Sequence, residues 1–94
     1  MPEMRFIVTW PDGQDEECYS PSLVIRDYFE EGSRYPLADF LTRSREALTI
    51  ASDRVKARYG HACSLALGQL SRIEQRGRAF GDPQAEVQIK TFLL

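Results

Sequence analysis

From Met4 to Trp10 apolar and polar residues alternate: Met4, Phe6, Val8 and Trp10 share one face, Arg5 and Thr9 the other. That two-residue period predicts a half-buried strand. Pro11-Asp12-Gly13 then reads as a three-residue hairpin loop. Proline presets the first turn angle, aspartate suits the second, and glycine takes the left-handed third position. The loop length sets Trp10 opposite Gln14, Val8 opposite Glu16 and Phe6 opposite Cys18. Cys18 is therefore expected on the core face and Tyr19 on the other, an assignment that one slip in register would reverse. At Ser20-Pro21-Ser22 the pattern changes to a short helix, with Ser20 as cap and Pro21 in the first helical position. Leu23, Val24 and Tyr28 are its expected buried edge, and Gly32 its stop.

A long helix is predicted from Pro36 to Tyr59. Leu37, Phe40, Leu41, Ala47, Leu48, Ala51 and Val55 follow the i, i+3, i+4 rule along it. Asp39 in its first turn and Arg58 in its last suit the helix dipole, and Asp39–Arg43 is an i,i+4 pair. Gly60 is the expected stop. A further helix, His61 to Gly77, directs Ala62, Cys63, Ala66, Leu67, Leu70 and Ile73 inward, and its small residues, Gly68 included, would allow close approach to the preceding helix. The pair makes an αα-hairpin. The segment from Arg76 to Pro83 reads as a glycine- and proline-containing linker, and Glu86 to Leu93 as a last strand with Val87, Ile89, Thr91 and Leu93 alternating. The prediction is one α+β domain over 1–94. Its three-stranded antiparallel or mixed sheet combines the N-terminal hairpin with the C-terminal strand, which should pair with the first. The sheet packs on a short helix and a long αα-hairpin. Ile7 and Tyr19, if outward, would make an apolar spot suited to self-association, so a homodimer is expected.

Composition narrows the class without naming a reaction. A hydrophobic share of 43% and a charged share of 28% fit a globular domain. No apolar run reaches the ~20 residues that would cross a bilayer. Met1-Pro2-Glu3-Met4-Arg5 lacks a basic segment followed by an apolar one, so no secretion signal is expected and the expected location is cytoplasmic. Two cysteines, Cys18 and Cys63, are too few for a disulfide scaffold and read as buried free thiols. Eight of the fourteen acids fall within residues 1–31, against two of the twelve bases. Such a chain can neutralise itself within the fold or pair with a copy of itself. Its overall charge argues against nucleic acid, which requires a concentrated basic surface.

Candidate chemistry is sparse. His61 and Cys63 carry atoms suited to zinc or to a nucleophilic pair, but only Cys18 could add a third ligand, and residues two apart on a helix diverge. Asp15-Glu16-Glu17 lacks the spacing of a calcium loop and reads as edge-strand charge. Arg43, Arg54, Arg58, Arg72, Arg76 and Arg78 could form an anion or nucleic-acid surface, but no aromatic residues interleave with them, so solvated faces or salt bridges explain them better. Trp10 with Tyr19, Tyr28, Tyr35 and Tyr59 are the best candidates for a binding surface. No catalytic residue, metal ligand or cofactor is assigned. The leading expectation is a non-catalytic accessory or regulatory protein. The alternative is a small enzyme or ligand sensor with a pocket between sheet and helices, lined by Trp10, Cys18, Tyr19 and His61. A nucleic-acid-binding regulator is the weakest reading.

Several blocks together carry a family resemblance: the opening Met1-Pro2-Glu3-Met4-Arg5-Phe6, Trp10-Pro11-Asp12-Gly13, Cys18-Tyr19-Ser20-Pro21-Ser22, Ser44-Arg45-Glu46-Ala47-Leu48 through Val55, and Tyr59-Gly60-His61-Ala62-Cys63-Ser64. They resemble the small bacterial nitrogen-starvation response proteins encoded beside a nitrilase in a conserved gene cluster. The resemblance spans nearly the whole chain and fades around Gly77 to Gln84. It implies expression under nitrogen limitation, a part in assimilating a nitrogen source such as a nitrile or cyanide, and other proteins of that cluster as partners. It carries over no catalytic residues.

Overall fold

Pro11, Asp12 and Gly13 close a hairpin in which the Trp10 N–H donates to Gln14 O at 2.8 Å and Gly13 takes a φ of 84°. The structure, a computed structural model, describes residues 2–94. Strands β1 (Met4–Thr9) and β2 (Asp15–Ser20) are antiparallel with Phe6 opposite Cys18 and Val8 opposite Glu16, the register that the loop length predicts. Helices α2 (Leu37–Tyr59) and α3 (Ser64–Phe80) form the helical hairpin. The last strand, Glu86–Leu93, pairs with β1 as expected.

The sheet has four strands rather than three. Arg34–Pro36 forms a short strand, β3, on the outer edge of the final strand, β4, giving the antiparallel order β2-β1-β4-β3. Three residues are too few to show alternation, and the proline that ends β3 also caps α2. Between Ile7 and Val8 the β1–β4 register shifts, leaving Lys90 as the extra residue of a bulge. The expected alternation of β4 therefore breaks. Val87 and Ile89 are buried, Phe92 packs against the core, and Thr91 and Leu93 turn outward.

The segment after β2 differs more. Only Ile25–Tyr28 is helical, as α1, and Ser20 does not cap it. Its hydroxyl donates to Ser22 O at 2.7 Å, while Ser22 Oγ accepts the Val24 N–H at 3.2 Å. Ile25 and Phe29 join Val24 in anchoring this segment, whereas Leu23 and Tyr28 are half-buried. Burying Ile25 and Phe29 is worth about 2 kcal/mol each, more than one turn of helix supplies.

In the hairpin, Gly60 ends α2 with a φ of 85°, its N–H donating to Lys56 O. The next helix starts later than expected, at Ser64, and runs past Gly77 to Phe80, so the predicted linker shrinks to a turn around Asp82 and Pro83. Ala66, Leu70 and Ile73 face inward as predicted, but Ala62 and Leu67 are exposed and Cys63 is only half-buried. Close approach falls at Gly77, against Leu41, rather than at Gly68. Phe6, Val8, Phe40, Leu48, Ile73 and Ile89 fill the space between sheet and helices.

The other face of the sheet is not an open apolar patch. Ile7 is half-buried between Glu17 and Thr91, and Arg5–Glu17 and Lys90–Asp15 ion pairs flank it. The uneven charge along the chain is partly cancelled internally, by Arg76 on Glu16 and Lys90 on Asp15.

Candidate functional site

Strand β2 lies at the sheet edge, so alternate backbone N–H groups point away from β1. That of Tyr19 is met by Gln69 of α3, whose Oε1 accepts it at 3.0 Å and also accepts from Arg72 at 3.3 Å. Gln69 is 3% exposed, and its Nε2 has no hydrogen-bond partner among the described residues. The Tyr19 ring lies on the outer face beneath the Arg5 guanidinium, 5.4 Å from the ring centroid. Its hydroxyl donates to Glu3 Oε2 at 2.9 Å. Burial, reinforced by that bond, pushes the phenol up to about 12. Tyr19 is therefore a fixed donor rather than a base.

Two cavities meet at this ring, sharing Glu3 and Tyr19. One, of about 360 Å³, lies between Arg5, Glu17, Leu65 and Arg72; the other, of about 230 Å³, runs past Pro21 and Val55 to Tyr59 and Cys63. Tyr59 and Leu65, at the rim, are 58% and 64% exposed. Apolar side chains that stand out beside ordered charges of both signs make a surface suited to a protein partner.

The sequence candidates divide into three places. Tyr19 and Tyr59 share the groove, and His61 stands exposed in the turn between the helices. His61 does not open a helix, and the neighbouring Cys63 caps α3, its N–H donating to Ser52 Oγ at 3.2 Å. Trp10 and Cys18 lie in the core, 1% and 0% exposed. Trp10 Nε1 donates to Glu16 Oε1 at 2.8 Å, Arg76 donates to the same oxygen at 2.9 Å, and the ring stacks on Phe80 and meets the edge of Phe40. Burial, aided by the Glu16 charge, holds the Cys18 thiol far above its ordinary range. Tyr28 and Tyr35 lie on the far side with Arg43, whose guanidinium covers the Tyr35 ring at 5.0 Å and donates to Tyr28 O. The four residues expected to line one pocket, Trp10, Cys18, Tyr19 and His61, are thus not brought together.

Glu3, Gln69 and Leu65 escaped the sequence reading. Gln69 had a signal, being a polar residue one turn from both Ala66 and Ile73 on a buried stripe. Among the described residues no group of three or more His, Cys, Asp or Glu side chains could hold a metal ion, and no helix is long and apolar enough to cross a membrane. Of the six arginines, Arg43, Arg76 and Arg78 are held in ion pairs, which leaves less basic surface than the sequence offers.

The family model of nitrogen starvation-induced protein NitG matches residues 5–92. The chain belongs to the NitG family. The match takes in nearly all of the hairpin, both long helices and nearly all of β4, and so both walls of the groove apart from Glu3. No curated protein and no solved structure matches the chain significantly.

Proposed function

We propose that this NitG-family chain is a non-catalytic accessory or regulatory protein of the nitrogen-starvation response, acting by contact with another protein through the Tyr19–Tyr59 surface. One contrast carries the reading. Two groups with latent reactivity are committed to the scaffold: the Cys18 thiol is buried and Glu16 is clamped between Trp10 and Arg76. Tyr59 and Leu65, by contrast, stand out beside a Tyr19 ring that Arg5, Glu3 and Gln69 hold in place. The family resemblance extends the proposal to a cytoplasmic role in nitrile or cyanide nitrogen assimilation, with the nitrilase encoded nearby as partner.

The test is co-purification of that nitrilase from nitrogen-starved cells, with wild type and with Tyr59→Ser/Leu65→Ser as bait. Wild type should retain the enzyme and the double variant should lose it. Unaided turnover of a nitrile, cyanide-derived or amide substrate by the purified chain would overturn the reading. The same exposed rim suits a homodimer, so wild type should sediment as a dimer and the double variant as a monomer.

A ligand sensor is the second reading, favoured by the two cavities that meet at Tyr19. It requires nitrogenous metabolites to raise the melting temperature, and a flat response counts against it.

A further inference from the structure

A third cavity, of about 470 Å³, lies beside α2, bounded by Ser22, Leu23, Arg54, Ala57, Arg58 and Pro2, with the Arg58 guanidinium also 5.7 Å from the centroid of the Tyr59 ring. Its volume is within the usual range for small-molecule sites, roughly 300–1,000 Å³. Arg54, Ala57 and Arg58 reach it together because they are three and four residues apart on one helix. Unlike Arg43, Arg76 and Arg78, neither Arg54 nor Arg58 forms an ion pair with a described carboxylate. Asp27 lies with Arg26 in an adjoining cavity that also touches Arg54, outside ion-pair distance of it.

Ser22 is the decisive neighbour. It is 2% exposed, and its Oγ accepts from Arg54 Nη1 at 2.8 Å and from the Val24 N–H at 3.2 Å. Both bonds are accepted, so the hydroxyl proton has no acceptor among the described residues. A buried donor with an unassigned proton therefore borders the cavity beside a guanidinium that the same oxygen holds in position. The rest of the wall is apolar, from Leu23, Ala57 and Pro2.

We propose that this cavity binds a small organic carboxylate. Its head would take hydrogen bonds from Arg54, Arg58 and the Ser22 hydroxyl, and its apolar body would lie on Leu23, Ala57 and Pro2. The planar guanidinium fork matches two carboxylate oxygens. The C-terminal end of α2 opposes an anion, a penalty that the two guanidinium charges offset. Inorganic phosphate would satisfy the donors but leave the apolar wall wet. The site adjoins the Tyr19–Tyr59 surface through Arg58, but it has a different lining, and its test does not depend on a protein partner.

Titration of the purified chain with benzoate, followed by NMR, should give saturable shifts of the Leu23 and Ala57 amides. Arg58 is exposed, so Arg58→Gln should keep the native melting temperature while weakening benzoate binding about tenfold, as loss of one charge-assisted bond implies. Ser22→Ala should weaken it several-fold, and Arg58→Lys should fall between wild type and Arg58→Gln. Absence of saturable binding, unchanged affinity in Arg58→Gln, or phosphate binding as tightly as benzoate would each overturn the proposal.

Discussion

A β-carbon placed on Gly77 would stand 2.7 Å from Cδ2 of Leu41 and 3.1 Å from its Cδ1. The glycine thus leaves room for the Leu41 side chain that α2 turns towards α3.

Gly77→Ala sets two effects against each other. Alanine is favoured over glycine inside a helix by about 1 kcal/mol, but overpacking typically costs about 1–3 kcal/mol. The clash should win, with a net loss of about 1 kcal/mol in urea unfolding. In a Leu41→Ala background the obstruction is gone, and the same substitution should become stabilising by about 0.5–1 kcal/mol. An unchanged sign in the two backgrounds would show that Leu41 simply swings aside.

The Glu16 carboxylate joins the Trp10 indole to Arg76 across sixty residues of chain. Glu16→Gln keeps the shape and removes the charge, so it should cost about 1–2 kcal/mol. In a double-mutant cycle with Arg76→Gln, the pair should show a coupling of about 1 kcal/mol, because both side chains are only partly exposed. Independent effects would mean that the pair is no more than surface charge.

The two thiols should differ sharply in reactivity. Cys63 is half-buried at the start of α3, while Cys18 is sealed in the core with its thiol held protonated. Titration with a disulfide reagent should modify about one thiol per native chain and about two in denaturant. Cys63→Ser should abolish the native reaction.

Stability should depend on pH at both extremes. Glu31 accepts from the Phe92 N–H and the Thr91 hydroxyl, bonds that hold its carboxyl below its ordinary 4.5. Lys90 and Thr9 do the same for Asp15, below 3.8. Folded values lower than unfolded ones mean that this support is present above the ordinary values and lost as pH falls through the folded ones. Glu31→Gln should therefore flatten the acid limb of a stability–pH curve. Tyr19 acts at the other end. With its folded value raised from 10 to about 12, its contribution is full below pH 10 and is lost as pH rises towards 12. Absorbance titration should show a late-titrating phenol in wild type that Tyr19→Phe removes.

Much of this architecture was legible because local chemistry and tertiary packing agreed. Pro11-Asp12-Gly13 sets the hairpin register unaided, and the stripe from Leu37 to Val55 with Gly60 after it defines α2. The misreadings came where one residue serves two purposes. Gly77 looks like a stop but is a packing glycine, so the helix continues through it to Gly81, which carries the left-handed cap. Pro36 looks like a helix start and is also the last residue of an edge strand. The Lys90 bulge has no glycine to announce it, which hid the inward turn of Phe92. For the groove, tyrosine content pointed to Tyr19 and Tyr59, but no local pattern brings Glu3 and Leu65 beside them. Trp10 and Cys18 went the other way, since residues suited to chemistry are equally suited to a core.

The two flanks of the sheet are blunted by different means. On one, Gln69 occupies the Tyr19 amide; on the other, Pro36 offers no donor at all. Ribbon-like growth from strand to strand is therefore disfavoured. Assembly through side chains is favoured over strand addition, so a finite stoichiometry that single substitutions can reset is the expected outcome.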